Sequence, residues 1–204
     1  MNDSKSQKNE VVKNLFERKS VRIFEDRPIS PEDRLTILQA ACQAPTAGNQ
    51  QLYTILEITE PALKKRLSVT CDNQPFIADA PFVLLFCADC QKWYDAYRYA
   101  GCTPRHPSAG DLMLAVEDSS LAAQNAVTAA WSLGIGSCYI GDIMEHCELH
   151  RELFQLPPYV FPAVMLVLGY PTARQRERTK PARCPLDSIV MENTYQIGRA
   201  SCRE

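Results

Sequence analysis

Apolar positions along the chain change their period several times, and each change marks an element. Val11, Val12 and Leu15 fall on one side of a short helix over 10–18. Ser30-Pro31-Glu32-Asp33 is a helix start, with a hydroxyl at the N-cap, proline at the first helical position and acids in the first turn. Leu35, Leu38, Ala41 and Cys42 keep helical spacing until Ala44-Pro45, since a residue before proline is pushed out of the helical region. A polar loop over 46–51 leads into a strand at 53–58; a helix is expected from Pro61 and a second strand over 82–88. The stretch 91–110 holds Trp93, Tyr94, Tyr97 and Tyr99, then the breaker-rich TPRHPSAG. It reads as an amphipathic turn or short helix followed by a mobile loop, a shape suited to a lid. An alanine-rich helix over 111–133, polar at few positions, is expected to be the central buried one. A glycine-studded turn and short strand over 134–141, a helix over 145–153 and a strand over 161–168 complete the core. From Tyr170 the chain is rich in proline and arginine and aperiodic until 186–190. With no repeat and no linker, 1–204 is expected to form one α+β domain, with 91–110 as a lid-like insertion and 171–204 as an extended C-terminal segment.

Composition narrows the classes. A chain of 204 residues can bury roughly 70% of its unfolded surface, enough to fold without a staple. Hydrophobic residues at 46% and charged residues at 23% fit a globular protein. A net charge of −2 argues against a dedicated nucleic-acid binder. No apolar run approaches the ~20 residues of a membrane span, and the start MNDSKSQKNE is polar, so a cytoplasmic protein is expected. Nine cysteines, an odd number at irregular spacings, read as reduced thiols. Cys87 and Cys90 form a C-x-x-C that could be redox-active or half of a metal site, but no second C-x-x-C completes one, which favours packing thiols.

Two basic clusters stand far apart: Arg18, Lys19 and Arg22, and then Arg174, Arg176, Arg178, Lys180 and Arg183. In an extended segment Arg18, Ser20 and Arg22 share one face, where two guanidinium forks and a hydroxyl can hold a phosphate. The plainer alternative is a solvated basic turn. The loop from Pro45 to Gln51 contains three amides, able to read the edge of a ring bearing carbonyls and ring nitrogens, or else to satisfy the loop's own backbone. Gly134, Gly136 and Gly141 follow a helix and open a strand, the reverse of a dinucleotide fingerprint, although they still allow close backbone approach. His146 and His150 are four apart, but H-C-E-L-H lacks the general-base position of a zinc hydrolase and reads as surface histidines. His106 lies in the lid and could meet substrate. There is no nucleophile elbow, phosphate-binding loop or paired-carboxylate pattern, so no catalytic side chain and no metal ligand is assigned.

Taken in order, ERKSVRIF (17–24), QAPTAGNQQ (43–51), QPFIADAPFVLLFCAD (74–89), LAAQNAVTAAWSLGIGSCYIGDI (121–143) and LPPYVFPAVMLVLGYP (156–171) resemble the nitroreductase family of flavin enzymes. The resemblance covers roughly residues 10–190. It implies a mostly antiparallel sheet flanked by helices and an intertwined homodimer with two FMN sites at its interface. Residues matching Arg18, Lys19, Ser20 and Arg22 would serve the FMN phosphate, together with a C-terminal basic residue, Arg183 first and Lys180 second. The loop Pro45, Thr46, Ala47, Asn49 and Gln51 would come from the partner subunit. Tyr139, Ile140 and Gly141 would lie beside the flavin with a backbone N–H aimed at N5, and Asn73 or Gln74 would reach the pyrimidine edge. In such enzymes NADH or NADPH gives hydride to the flavin, and a nitroaromatic or quinone then takes it at the same face, a ping-pong sequence that demands no acid–base residue. Departures are Lys19, where a second arginine is common, and Leu52-Tyr53, where Pro-Trp is often found. Competing readings keep the fold but change the chemistry (dehalogenation, flavin fragmentation, dehydrogenation of a modified peptide), store flavin without turnover, or use Cys87 and Cys90.

Overall fold

The computed structural model describes residues 9–195. The polar start over 1–8, Cys202 and the last residues of the expected C-terminal segment lie outside the described residues. The elements in chain order are α1 (Glu10–Glu17), α2 (Pro31–Ala41), β1 (Tyr53–Glu57), α3 (Pro61–Thr70), α4 (Phe76–Asp79), β2 (Phe82–Asp89), α5 (Gln91–Tyr99), α6 (Ala109–Ser132), β3 (Gly136–Ile140), α7 (Cys147–Leu153), β4 (Val160–Gly169) and α8 (Ala173–Glu177). The four strands form one sheet in the order β1-β2-β4-β3, every neighbouring pair antiparallel.

The two central strands are covered on both faces, which is why β2 carries no polar residue before Asp89. Phe82, Leu84, Phe86 and Ala88 pack with Leu166, Leu168 and the small residues of α6. Val83, Leu85 and Cys87 point the other way and meet Leu67, Ile77, Met165 and Val167. Fully burying each large apolar side chain contributes about 1.5–3 kcal/mol, so this two-sided sheet fixes the frame on which the loops hang.

Beyond β3 the sheet gains one more bridge. Ser20 pairs in parallel with Ser137, and the Val21 N–H donates to the Ser137 carbonyl at 2.9 Å. Gly136 makes this possible: a Cβ there would lie 2.5 Å from Val21 Cγ2.

Several sequence expectations shift. Helix α6 starts at Ala109, two residues early, because Ser108 and Asp111 form a capping box. It is not buried all round. Ala115, Asp118, Ser119, Ala122, Ala126 and Ala130 face inward, while Met113, Leu114 and Leu121 are exposed. The inward stripe of α2 is Ile37 and Ala41, and Leu35 is exposed. No residue of α1 is buried, so its apolar face is uncovered within one chain. Residues 141–144 form a 3-10 turn, and α7 then begins at Cys147, leaving His146 at the cap. Helix α8 was hidden in the basic tail; it is tied down by Gln175, whose buried Oε1 accepts the Arg22 N–H at 3.1 Å. Among the described residues no helix is long and apolar enough to cross a membrane.

Candidate functional site

The alternating segment 18–22 runs along the β3 edge and collects cations. Arg18 lies 5.9 Å over the Tyr139 ring, and its Nε is buried with no hydrogen-bond partner. Arg22 sits 5.9 Å over Phe76. Ser20, Arg22 and Arg18 all face the Cys138 thiol: burial pushes it up, while Arg22, Ser20 and Arg18 oppose that push. The C-terminal segment returns to the same place. Arg178 donates to the Ser20 carbonyl at 2.6 Å, and Lys180 Nζ donates to the last-turn carbonyls of Phe16 at 2.6 Å and Leu15 at 3.2 Å. Burial, then the charges of Arg183 and Arg18, push the Lys180 ammonium down. A lysine ammonium beside an arginine whose buried Nε has no partner is a setting that an anion relieves. Lys19 differs from its neighbours, since its ammonium is directed at the carbonyls of Arg176 and Arg178 and ties the tail in place.

The loop from Pro45 to Gln51 is suspended from α6. Asp118, 2% exposed, accepts the Ala47 N–H at 2.9 Å and the Leu52 N–H at 3.0 Å. Thr46 Oγ1 accepts the Gln51 N–H, and the Gln51 amide donates to the Asn49 carbonyl and side chain. Gly48, Asn49 and Gln51 all have positive φ, at 56°, 56° and 46°. From outside, Trp93 Nε1 donates to the Gln50 carbonyl at 2.7 Å, and Lys92 Nζ to the carbonyls of Gln51 and Tyr53 at 2.9 and 2.6 Å. Tyr139 hangs from another side of α6, its hydroxyl donating to Gln124 Oε1 at 3.2 Å. Asp118 and Gln124 are six residues apart, or about 120° around a helix axis. Among the described residues no hydrogen bond joins the loop to segment 18–22.

Around the β3 end, burial pushes the Tyr139 hydroxyl up to about 12 against the pull of Arg18. Ile140 is buried, and Gly141 is exposed with open space where a Cβ would stand. Gln74 spans the gap, its amide donating to Asp142 Oδ2 at 2.8 Å and the Cys71 carbonyl at 2.9 Å. Asn73 is exposed at φ 51°. Asp118, Gln124 and Asp142 escaped the sequence reading. Asp118 had a signal: at 115, 118, 119 and 122 it is an acid inside the inward stripe.

Helix α5 and the segment after it, expected from the sequence to form a lid, are pinned by several contacts. Arg105 makes a bidentate pair with Asp111 at 2.6 and 2.7 Å and holds that carboxylate well below its usual range. His106 Nδ1 lies 2.6 Å from the Tyr159 hydroxyl, and Tyr94 stacks on the His106 ring. Beneath them Trp93, Tyr94, Tyr97, Leu114, Gln50 and Arg105 line a cavity of about 240 Å³.

His150 is buried, against the surface position expected for it. Its Nδ1 donates to the Ile143 carbonyl at 2.7 Å, and Nε2 lies 2.9 Å from the Thr70 hydroxyl, so both ring nitrogens are engaged. Cys87 and Cys90 are both buried thiols; burial pushes Cys87 up to about 12, and Cys90 donates to the Asp111 carbonyl.

The nitroreductase family profile matches residues 15–170, and the chain belongs to that family. It is 35% identical over 186 residues to the oxygen-insensitive NADPH nitroreductase of Salmonella typhimurium, covering 91% of this chain and 75% of that one. It is 33% identical over 189 residues to the FMN reductase [NAD(P)H] of Bacillus subtilis, with coverages of 92% and 75%. The structure of the NADPH:FMN oxidoreductase from Vibrio harveyi complexed with NAD+ superposes with a TM-score of 0.85 at 29% identity, covering 92% of this chain and 79% of that one.

Proposed function

We propose that the protein is an FMN-dependent NAD(P)H oxidoreductase that works as a homodimer, each flavin site being built from both subunits. The observation that carries the reading is the buried, unpartnered Nε of Arg18 next to the helix end on which the Lys180 ammonium is seated, with the Ser20 hydroxyl on the same face of its segment. That donor set fits a phosphomonoester. Arg18, Ser20 and Arg22, with Arg183 or Lys180, would hold the FMN phosphate, and Lys19 serves the same site by fixing the tail. The backbone at Tyr139, Ile140 and Gly141 would face the ring, and the open space at Gly141 supports that approach. Gln74, anchored to Asp142, is the better placed of the 73–74 pair to present a carbonyl to the pyrimidine edge. Pro45, Thr46, Ala47, Asn49 and Gln51 would reach the flavin of the other subunit, consistent with their separation from segment 18–22 around α6.

Bound there, FMN would supply two-electron redox chemistry between NADH or NADPH and an electron-poor acceptor such as a nitroaromatic or quinone, in ping-pong fashion. The chain's own part is to bind, orient and exclude water. The aromatic lid cavity suits a flat acceptor, since Trp and Tyr faces stack on planar rings. No side chain need donate or remove a proton within the hydride transfer itself.

The test is an absorption spectrum of the purified protein, followed by anaerobic NADH and then NADPH. Flavin bands that bleach with either nicotinamide are expected. Arg18→Ala should lose occupancy, because a charged contact contributes about 1.5–3 kcal/mol, ten- to a hundredfold in Kd. Protein that stays colourless after reconstitution with FMN overturns the reading, and flavin that resists both nicotinamides overturns the hydride donor.

A further inference from the structure

We infer that Asp118 is a positioning residue of the flavin site, acting through the loop 45–51, and that Lys92 and Trp93 of the lid helix hold the same loop from its other side. The inference rests on the proposed role of that loop toward FMN. Asp118 touches neither the phosphate cluster nor the β3 turn, yet it is a carboxylate almost wholly buried in a stripe of small residues. Burying a carboxylate is costly unless its oxygens are matched by donors. Here each oxygen takes one backbone N–H, Ala47 on Oδ1 and Leu52 on Oδ2, so one side chain grips both ends of the loop.

Between those grips the backbone does what most residues resist. Asn49 and Gln51 are not glycine, but both hold positive φ, as does Gly48 beside them. Such conformations persist only where the surroundings over-determine them. The second set of restraints comes from α5. Its Trp93 indole N–H and Lys92 ammonium draw the Gln50 and Gln51 carbonyls outward, while Asp118 draws the flanking N–H groups inward. Lys92 is itself held at the start of α5, where its N–H meets Asp89 Oδ1 at 3.1 Å. A displacement of the lid therefore pulls directly on the carbonyls next to the amides expected to read the flavin. The sites of acceptor and cofactor are connected through two hydrogen-bonded residues and need no longer path.

Asp118→Asn keeps the shape but replaces one acceptor by an NH2 donor, so Ala47 or Leu52 loses its partner. The expected results are faster hydrogen exchange of that amide in the FMN-free protein, FMN Kd raised at least about tenfold, and an altered visible circular dichroism of the bound flavin. A general loss of packing would lower the melting temperature without changing the dichroism of the flavin that still binds. Trp93→Phe and Lys92→Met, which leave Asp118 intact, should each shift the dichroism and weaken FMN severalfold. If FMN-loaded wild type and all three variants agree in Kd and dichroism, the assignment falls alone. If the wild type cannot be loaded, the flavin reading falls and this assignment with it.

Discussion

His150 shows how one buried side chain sets a pH limit on the fold. In the neutral ring Nδ1–H donates to the Ile143 carbonyl, which leaves Nε2 to accept from the Thr70 hydroxyl. Burial is the main force holding its pKa below the ordinary 6.5, with the Ile143 hydrogen bond opposing and His146 and Arg66 adding repulsion. Because the folded value is the lower one, the unfolded chain binds a proton that the folded chain refuses as pH drops below 6.5. The stability contributed by the neutral ring is therefore complete above pH 6.5 and is lost as pH falls through the folded value. Urea unfolding between pH 7 and 5 should show this loss, with His150 supplying at most about 1.4 kcal/mol per pH unit. His150→Gln, less stable at pH 7, should have a flatter profile over the same range. A profile parallel to wild type would assign the loss to carboxylates instead.

At the scale of elements, the contact between segment 18–22 and β3 joins stability to the site. Val21 is fully buried and bonded to Ser137, and its side chain occupies the space over Gly136. Gly136→Ala forces the two apart. Overpacking of this kind costs typically about 1–3 kcal/mol, and because Arg18, Ser20 and Arg22 ride on the displaced segment, FMN affinity should fall as well. Thermal unfolding and flavin titration of Gly136→Ala, with Val21→Gly/Gly136→Ala as the pair that removes the overlapping Cβ, would check both; a neutral Gly136→Ala would mean that the bridge does not hold the segment. The elements themselves were largely legible. Ser30 does cap α2 through the Asp33 N–H at 3.0 Å, and the apolar runs at 82–88 and 161–168 are the central strands. What escaped were features decided by distant partners. Helix α8 depends on Gln175 meeting Arg22; the early start of α6 is the exception, set locally by the capping box of Ser108 and Asp111. The inward turn of Ile37, not Leu35, on α2 follows from where α6 lies. For the site, alternation put Arg18, Ser20 and Arg22 on one face; Asp118 was marked only as an acid inside an apolar stripe, and nothing local to it or to Gln124 said which distant segment each would hold on α6.

Among the described residues, the apolar sides of α1 and α6 lie without cover. Helix α1 packs on α6 and buries none of its own residues; Val11 is 59% exposed, Leu15 49% and Phe16 70%. On α6 itself Met113 is 72% exposed, and Leu114 and Leu121 join the same outward side. A helix with apolar residues on both of its long faces is built to be covered twice, and large exposed apolar patches mark interaction sites. A second copy of the chain is the proposed cover, and that arrangement would also carry the loop 45–51 of one subunit toward the Arg18 cluster of the other. Assembly and cofactor binding would then be joined. Phe16→Glu combined with Met113→Glu should convert a dimer into a monomer in sedimentation, because two charges would be buried unpaired at the contact. The same variant should hold FMN at least about tenfold more weakly although every residue of the phosphate cluster is intact, since the partner's loop contacts are gone. A monomer that binds FMN with wild-type Kd would show that each chain completes its own site, and the shared-site arrangement would have to be abandoned.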